Sequence, residues 1–125
     1  MNRAEYEKQM ISAAILVFMG YLSHESRLCP ALLEDHVDAE TGEVFPHGWM
    51  ARVTDAFCAG RLNQTERDTL LHEAEKHLKP EDDSLSNLIA VSFVENLPPP
   101  QEQGYKLIAG YPALLRQYAI VFGTR

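Results

Sequence analysis

Apolar side chains recur every third or fourth residue along most of this chain, the 3.6-residue rhythm that buries one stripe of an α-helix. From about Ala4 to Tyr21 the stripe runs through Tyr6, Met10, Ala13, Val17 and Tyr21, with charges kept to the first turns. Pro30 suits the start of a short helix over Ala31–Asp38, because its missing N–H would be unpaired there in any case, and Thr41-Gly42 breaks the pattern. After Pro46, the residues Trp49, Val53 and Phe57 recur every fourth position up to Gly60, a natural left-handed stop. Asn63 with Glu66, or Thr65 with Asp68, offers a capping signal for a fourth helix. Leu70, Leu71, Ala74 and Leu78 form its apolar side, and Pro80 ends it.

Asp82, Asp83 and Ser84 start the next element. Leu85, Leu88, Ile89, Val91, Phe93, Val94 and Leu97 make it apolar nearly all round, as a helix enclosed by others must be. Pro98-Pro99-Pro100 stops it, since none of the three donates a backbone N–H. The helical rhythm resumes with Tyr105, Leu107 and Ile108, bends at Gly110-Tyr111-Pro112 and continues through Leu114, Leu115, Tyr118, Val121 and Phe122. No alternating run bounded by hairpin residues and no internal repeat interrupts it. The expectation is an all-α fold: one domain over residues 1–125, a bundle of about five to seven helices around a central apolar helix at about 84–97.

Composition narrows the class. The 125 residues are 46% hydrophobic and 23% charged, enough to bury one core and too few for a second domain. The formal net charge is -7, and both halves of the chain are acidic, which disfavours nucleic acid and favours a basic protein partner. Cys29 and Cys58 lie far apart with no metal-ligand spacing, so both read as free buried thiols. The apolar run Met10–Leu22 is too short for a membrane span and lacks a basic leading segment, so the expected location is the cytoplasm, with no membrane partner.

Catalytic and metal signatures fail on spacing. His72-Glu73-Ala74-Glu75-Lys76-His77 resembles a zinc helix, but its histidines are five apart rather than four, which sets them about 140° apart around the axis. Asp38, Glu40 and Gly42 do not continue into a calcium loop: Glu43 stands where its glycine belongs and Trp49 where its last carboxylate belongs. His24, His36 and His47 are isolated. There is no nucleophile elbow and no glycine-rich phosphate loop. The sequence therefore predicts no enzyme, no metal and no cofactor.

Charge placement is more informative. Between Leu28 and Ala51 stand Glu34, Asp35, Asp38, Glu40 and Glu43, with no Lys or Arg among them. Acidic runs are often solvated faces. Here Phe45 and Trp49, the only tryptophan, adjoin the run, and aromatic anchors beside unpaired charge make a surface for a basic partner. A second acidic group, Glu81-Asp82-Asp83, is explained by the helix dipole at a helix start.

The segment Ser86-Asn87-Leu88-Ile89-Ala90-Val91-Ser92-Phe93-Val94-Glu95-Asn96-Leu97, with the Leu/Tyr-rich helix that follows, resembles a family of small bacterial helical proteins. Some members of that family resemble immunity proteins of polymorphic toxin systems, including contact-dependent growth inhibition. The resemblance covers roughly the last two fifths of the chain and implies a cytosolic protein that neutralises one toxin, often a basic nuclease, by stoichiometric binding. It supplies no catalytic residues, and the acidic segment lies outside it. The alternative is a helical adaptor or regulatory protein with a non-toxin protein partner. Oligomeric state is left open by the sequence.

Overall fold

A computed structural model describes residues 13–79, 84–99 and 104–123. Residues 13–20 are the described part of α1, which passes into a π-helical stretch at Tyr21–Glu25. There the Ser26 N–H donates to the Tyr21 carbonyl, five residues back, at 3.0 Å. Then follow α2 (Pro30–Asp35), α3 (Pro46–Cys58), α4 (Gln64–His77), α5 (Ser84–Ser92) and α6 (Pro112–Phe122). Short 3₁₀ turns at Val94–Asn96 and Gly104–Ile108 lie between α5 and α6. The fold is all-α, and among the described residues the only β pairing is a single antiparallel bridge between Val37 and Val44.

Local chemistry sets most of these limits. Pro30, Pro46 and Pro112 each occupy the first turn of a helix, where a missing N–H costs nothing. At α4 the capping box forms as the spacing predicts: Asn63 Oδ1 accepts the Glu66 N–H at 2.8 Å, and Glu66 Oε1 accepts the Asn63 N–H at 2.9 Å. Gly60, at φ 72°, takes the left-handed position after α3. Pro80, Asp82, Asp83 and Pro100 lie outside the described residues.

The core forms where α3 packs on α5, with α1, α4 and α6 closing around them. Trp49, Val53 and Phe57 from α3 and Leu88, Ile89 and Phe93 from the α5 segment are buried, and the Phe57 and Phe93 rings lie 5.7 Å apart. Polar groups reinforce the same seam. Thr54 Oγ1 donates to the Met50 carbonyl at 2.7 Å and to the Ser92 carbonyl at 3.2 Å, and His47 Nδ1 shares a hydrogen bond with Ser92 Oγ at 2.6 Å.

Four expectations need correction. The buried face of α1 is Ile15, Phe18, Met19 and Leu22, not the stripe through Ala13, Val17 and Tyr21; Val17 is 73% exposed. Nearly every residue from Met10 to Leu22 is apolar, so periodicity leaves several faces open. Contact decides among them: Phe18 meets Trp49 edge-on at 6.1 Å and His77 at 5.7 Å. Tyr6 and Met10 of the expected stripe lie outside the described residues. Helix α2 stops at Asp35 instead of Asp38, because the next residues turn into the Val37–Val44 bridge. The central helix ends at Ser92 and tightens into a 3₁₀ turn, with Val91 on its open side. Neither cysteine is fully buried: Cys29 is half-buried and Cys58 exposed, and both are free thiols.

Candidate functional site

The acidic segment is a closed, hydrogen-bonded hairpin rather than a slack loop. The Asp38 N–H donates to the Glu43 carbonyl at 2.8 Å, the Gly42 N–H donates to the Asp38 carbonyl at 2.8 Å, and the Phe45 N–H donates to the His36 carbonyl at 2.8 Å. Gly42 supplies the positive φ, 74°, that the reversal needs. Asp38 Oδ1 accepts the N–H groups of Glu40 at 2.8 Å and Thr41 at 3.0 Å, and Thr41 Oγ1 accepts that of Glu43 at 3.2 Å. These bonds favour the ionised form and hold the Asp38 carboxyl below the ordinary aspartate range, those from the Thr41 and Glu40 N–H groups being the main causes.

His36 ties this hairpin to the helices on either side. Its Nδ1 donates to the Leu32 carbonyl at 2.8 Å, and its ring lies so close to Gly48 that a Cβ there would meet His36 Cδ2 at 3.0 Å. A residue with a Cβ here would need the imidazole to give way by a few tenths of an ångström. The hairpin therefore holds its shape relative to α2 and α3.

The seven residues singled out in the sequence separate into three groups. Glu34 and Asp35 at the end of α2, and Glu40 and Glu43 on the hairpin, are exposed, and Phe45 beside them is 46% exposed. Asp38 belongs to the hairpin's own scaffolding. Trp49 is fully buried, at 0% exposure, and is a core residue, not a surface anchor. The Trp49–Val53–Phe57 stripe already signalled that placement, since residues four apart share a helix face. Phe45, just before Pro46, stays outside, as its place beside the charge run suggested.

The histidines have ordinary surroundings. His77 lies 3.4 Å from Glu73 and His72 is exposed. Among the described residues no three His, Cys, Asp or Glu side chains are grouped to hold a metal. No described helix is long and apolar enough to cross a membrane. Glu81, Asp82 and Asp83 lie outside the described residues. Sequence reading missed a second charged feature: Arg27, Arg52 and Arg61, well separated along the chain, line one groove.

Comparison of the chain with protein-family models, with curated proteins and with solved structures finds no match.

Proposed function

We propose that this chain is a binding protein of the immunity type, which neutralises a basic bacterial toxin domain by stoichiometric association. One observation carries the reading: the hairpin holds Glu40 and Glu43 outward, next to Glu34, Asp35 and the exposed Phe45, with no Lys or Arg between Leu28 and Ala51. Carboxylates on a rigid support attract a cation-lined groove from a distance and fix its register, without the entropy loss of ordering a loop on contact. Phe45 supplies the apolar contact that slows dissociation. The toxin as partner class is supported by the resemblance of residues 86–97 to immunity-like proteins.

The test is association with any toxin domain found encoded beside this gene, and the absence of such a neighbour counts against the reading. Reversing Glu34, Asp35, Glu40 and Glu43 together lowers the association rate by about tenfold or more and flattens its salt dependence, with the melting temperature unchanged. Phe45→Ala acts on the dissociation rate instead. Unchanged affinity after the quadruple reversal removes the hairpin as the binding surface.

A further inference from the structure

Arg27, Arg52 and Arg61 are the only cations among the described residues up to Leu62, and they converge on one open groove of about 700 Å³ in a chain of formal net charge -7. That size lies within the range of small-molecule sites. Arg52, Asp55 and Ala56 occupy successive turns on one face of α3, and Ala59 follows at its C-cap. Arg61 and Leu62 come from the turn after Gly60, where the Arg61 N–H donates to the Ala56 carbonyl at 2.9 Å. Arg27 and Cys29 come from the segment before α2, and Glu66 comes from the first turn of α4.

Two further observations set this groove apart from a scatter of surface charge. Arg27 (φ 52°) and Cys29 (φ 45°) are the only non-glycine residues with positive φ among those described. Both sit in a conformation that L-residues avoid, and both line the groove, while Leu28 between them is fully buried and its N–H donates to the Leu22 carbonyl at 2.7 Å. The anchored leucine thus turns its two neighbours toward the opening. The guanidinium groups are also free: among the described residues, none of the three makes an ion pair or a side-chain hydrogen bond, and the one ion pair is His77 with Glu73.

We propose that this groove binds a phosphate monoester of a small polyhydroxy compound, of the sugar phosphate or mononucleotide kind. Guanidinium forks match phosphate oxygens in pairs. Asp55 and the Glu66 oxygen not used in the α4 cap are acceptors, suited to hydroxyl groups and not to the phosphate. Leu32, Ala56 and Leu62 give an apolar floor for the body of the ligand. Burial, and then the charge of Glu66, push the Cys29 thiol pKa up, so the wall beside the arginines stays neutral near pH 7.

The site shares none of the acidic residues of the hairpin, so its test is independent of the immunity reading. Titration of the isotope-labelled chain by NMR with ribose 5-phosphate, AMP and inorganic phosphate reads it directly. Saturable shifts at the Arg27, Arg52 and Arg61 amides are expected with both esters, and Arg52→Ala with Arg61→Ala weakens binding by about tenfold or more while the fold, read from the remaining amides, is retained. Asp55→Ala gives opposite signs: weaker binding of the esters, which lose a hydroxyl acceptor, and stronger binding of inorganic phosphate, which loses a repulsive neighbour. Tighter binding of AMP assigns a nucleotide, and equal or tighter binding of ribose 5-phosphate assigns a sugar phosphate. Inorganic phosphate binding as tightly as both esters, no saturation in the millimolar range, or affinities indifferent to the two arginines would overturn the proposal.

Discussion

Glu75 caps α6 from 39 residues away: its Oε1 accepts the Leu114 backbone N–H at 2.9 Å. Its Oε2 accepts the neighbouring Ala113 N–H at 2.8 Å, so one carboxylate satisfies two of the donors that a helix start leaves unpaired. Tyr111, the local cap position, contributes no side-chain bond. The negative charge also faces the positive end of the helix dipole. Glu75→Ala is expected to lower stability by about 1–2 kcal/mol in urea unfolding, and Glu75→Gln, which keeps one acceptor oxygen, by less. A Glu75→Ala chain as stable as the parent would dismiss this cap.

Trp49 separates packing from polar satisfaction. Its ring fills the centre of the core against Phe18, yet its Nε1 is buried without a hydrogen-bond partner. Trp49→Ala is expected to cost about 3–5 kcal/mol through the cavity it leaves. Trp49→Phe keeps much of the volume and removes the unpaired donor, so its cost is expected to stay below about 1.5 kcal/mol. Equal costs for the two variants would show that the indole N–H finds a partner in solution.

Asp38 gives the hairpin a pH dependence of known sign. Its folded pKa lies below the ordinary aspartate value of 3.8, because the Thr41 and Glu40 N–H groups bond the ionised form. The support it gives the hairpin is complete above the ordinary value and is lost as pH falls through the lower, folded one. An NMR titration is expected to show the Asp38 carboxyl and the Glu40 and Thr41 amides moving together with a midpoint under 3.8. In Asp38→Asn, which keeps an acceptor but cannot ionise, those amides are expected to lose that transition. A midpoint at or above 3.8 refutes the bonding pattern.

Helix positions were legible in the sequence at α3 and α4, where a backbone signal lies directly at the helix end. Pro46, Gly60 and the Asn63–Glu66 pair act within a few residues of themselves, and the structure places α3 and α4 accordingly. The buried face of α1 was not legible, since its choice rests on Phe18 meeting Trp49 and His77 from distant helices. Of the candidate surface, the exposed carboxylates and Phe45 could be read from the local charge run. The structural duty of Asp38 could not, because it depends on the hairpin closing. The arginine groove was equally invisible: Arg27, Arg52 and Arg61 stand in three separate segments that only the fold brings together. Gly104 carries the same lesson. A Cβ there would collide with the Pro98 carbonyl oxygen, in the place where that carbonyl also accepts from the Tyr118 hydroxyl, and no sequence pattern announces this meeting.

The π-helical stretch at Tyr21–Glu25 makes the place of a deletion, more than the residue deleted, the quantity that matters before α2. A π turn is an α-helix carrying one extra residue, and each residue of an α-helix advances the chain by about 100° around its axis. Any substitution at Ser23, whose buried hydroxyl makes no hydrogen bond, perturbs one site. Removing Ser23 outright restores ordinary α geometry and leaves the flanking residues close to their present positions, whereas removing one residue from the α-helical turns at 13–20 swings one side of the helix against the other through that angle. In that second case Leu28 leaves its place in the core, the Leu22 carbonyl loses the N–H it accepts across six residues, and the left-handed pair on either side of Leu28 has nothing to hold it. A codon deletion inside the π stretch is thus less disruptive than one in the α-helical turns before it.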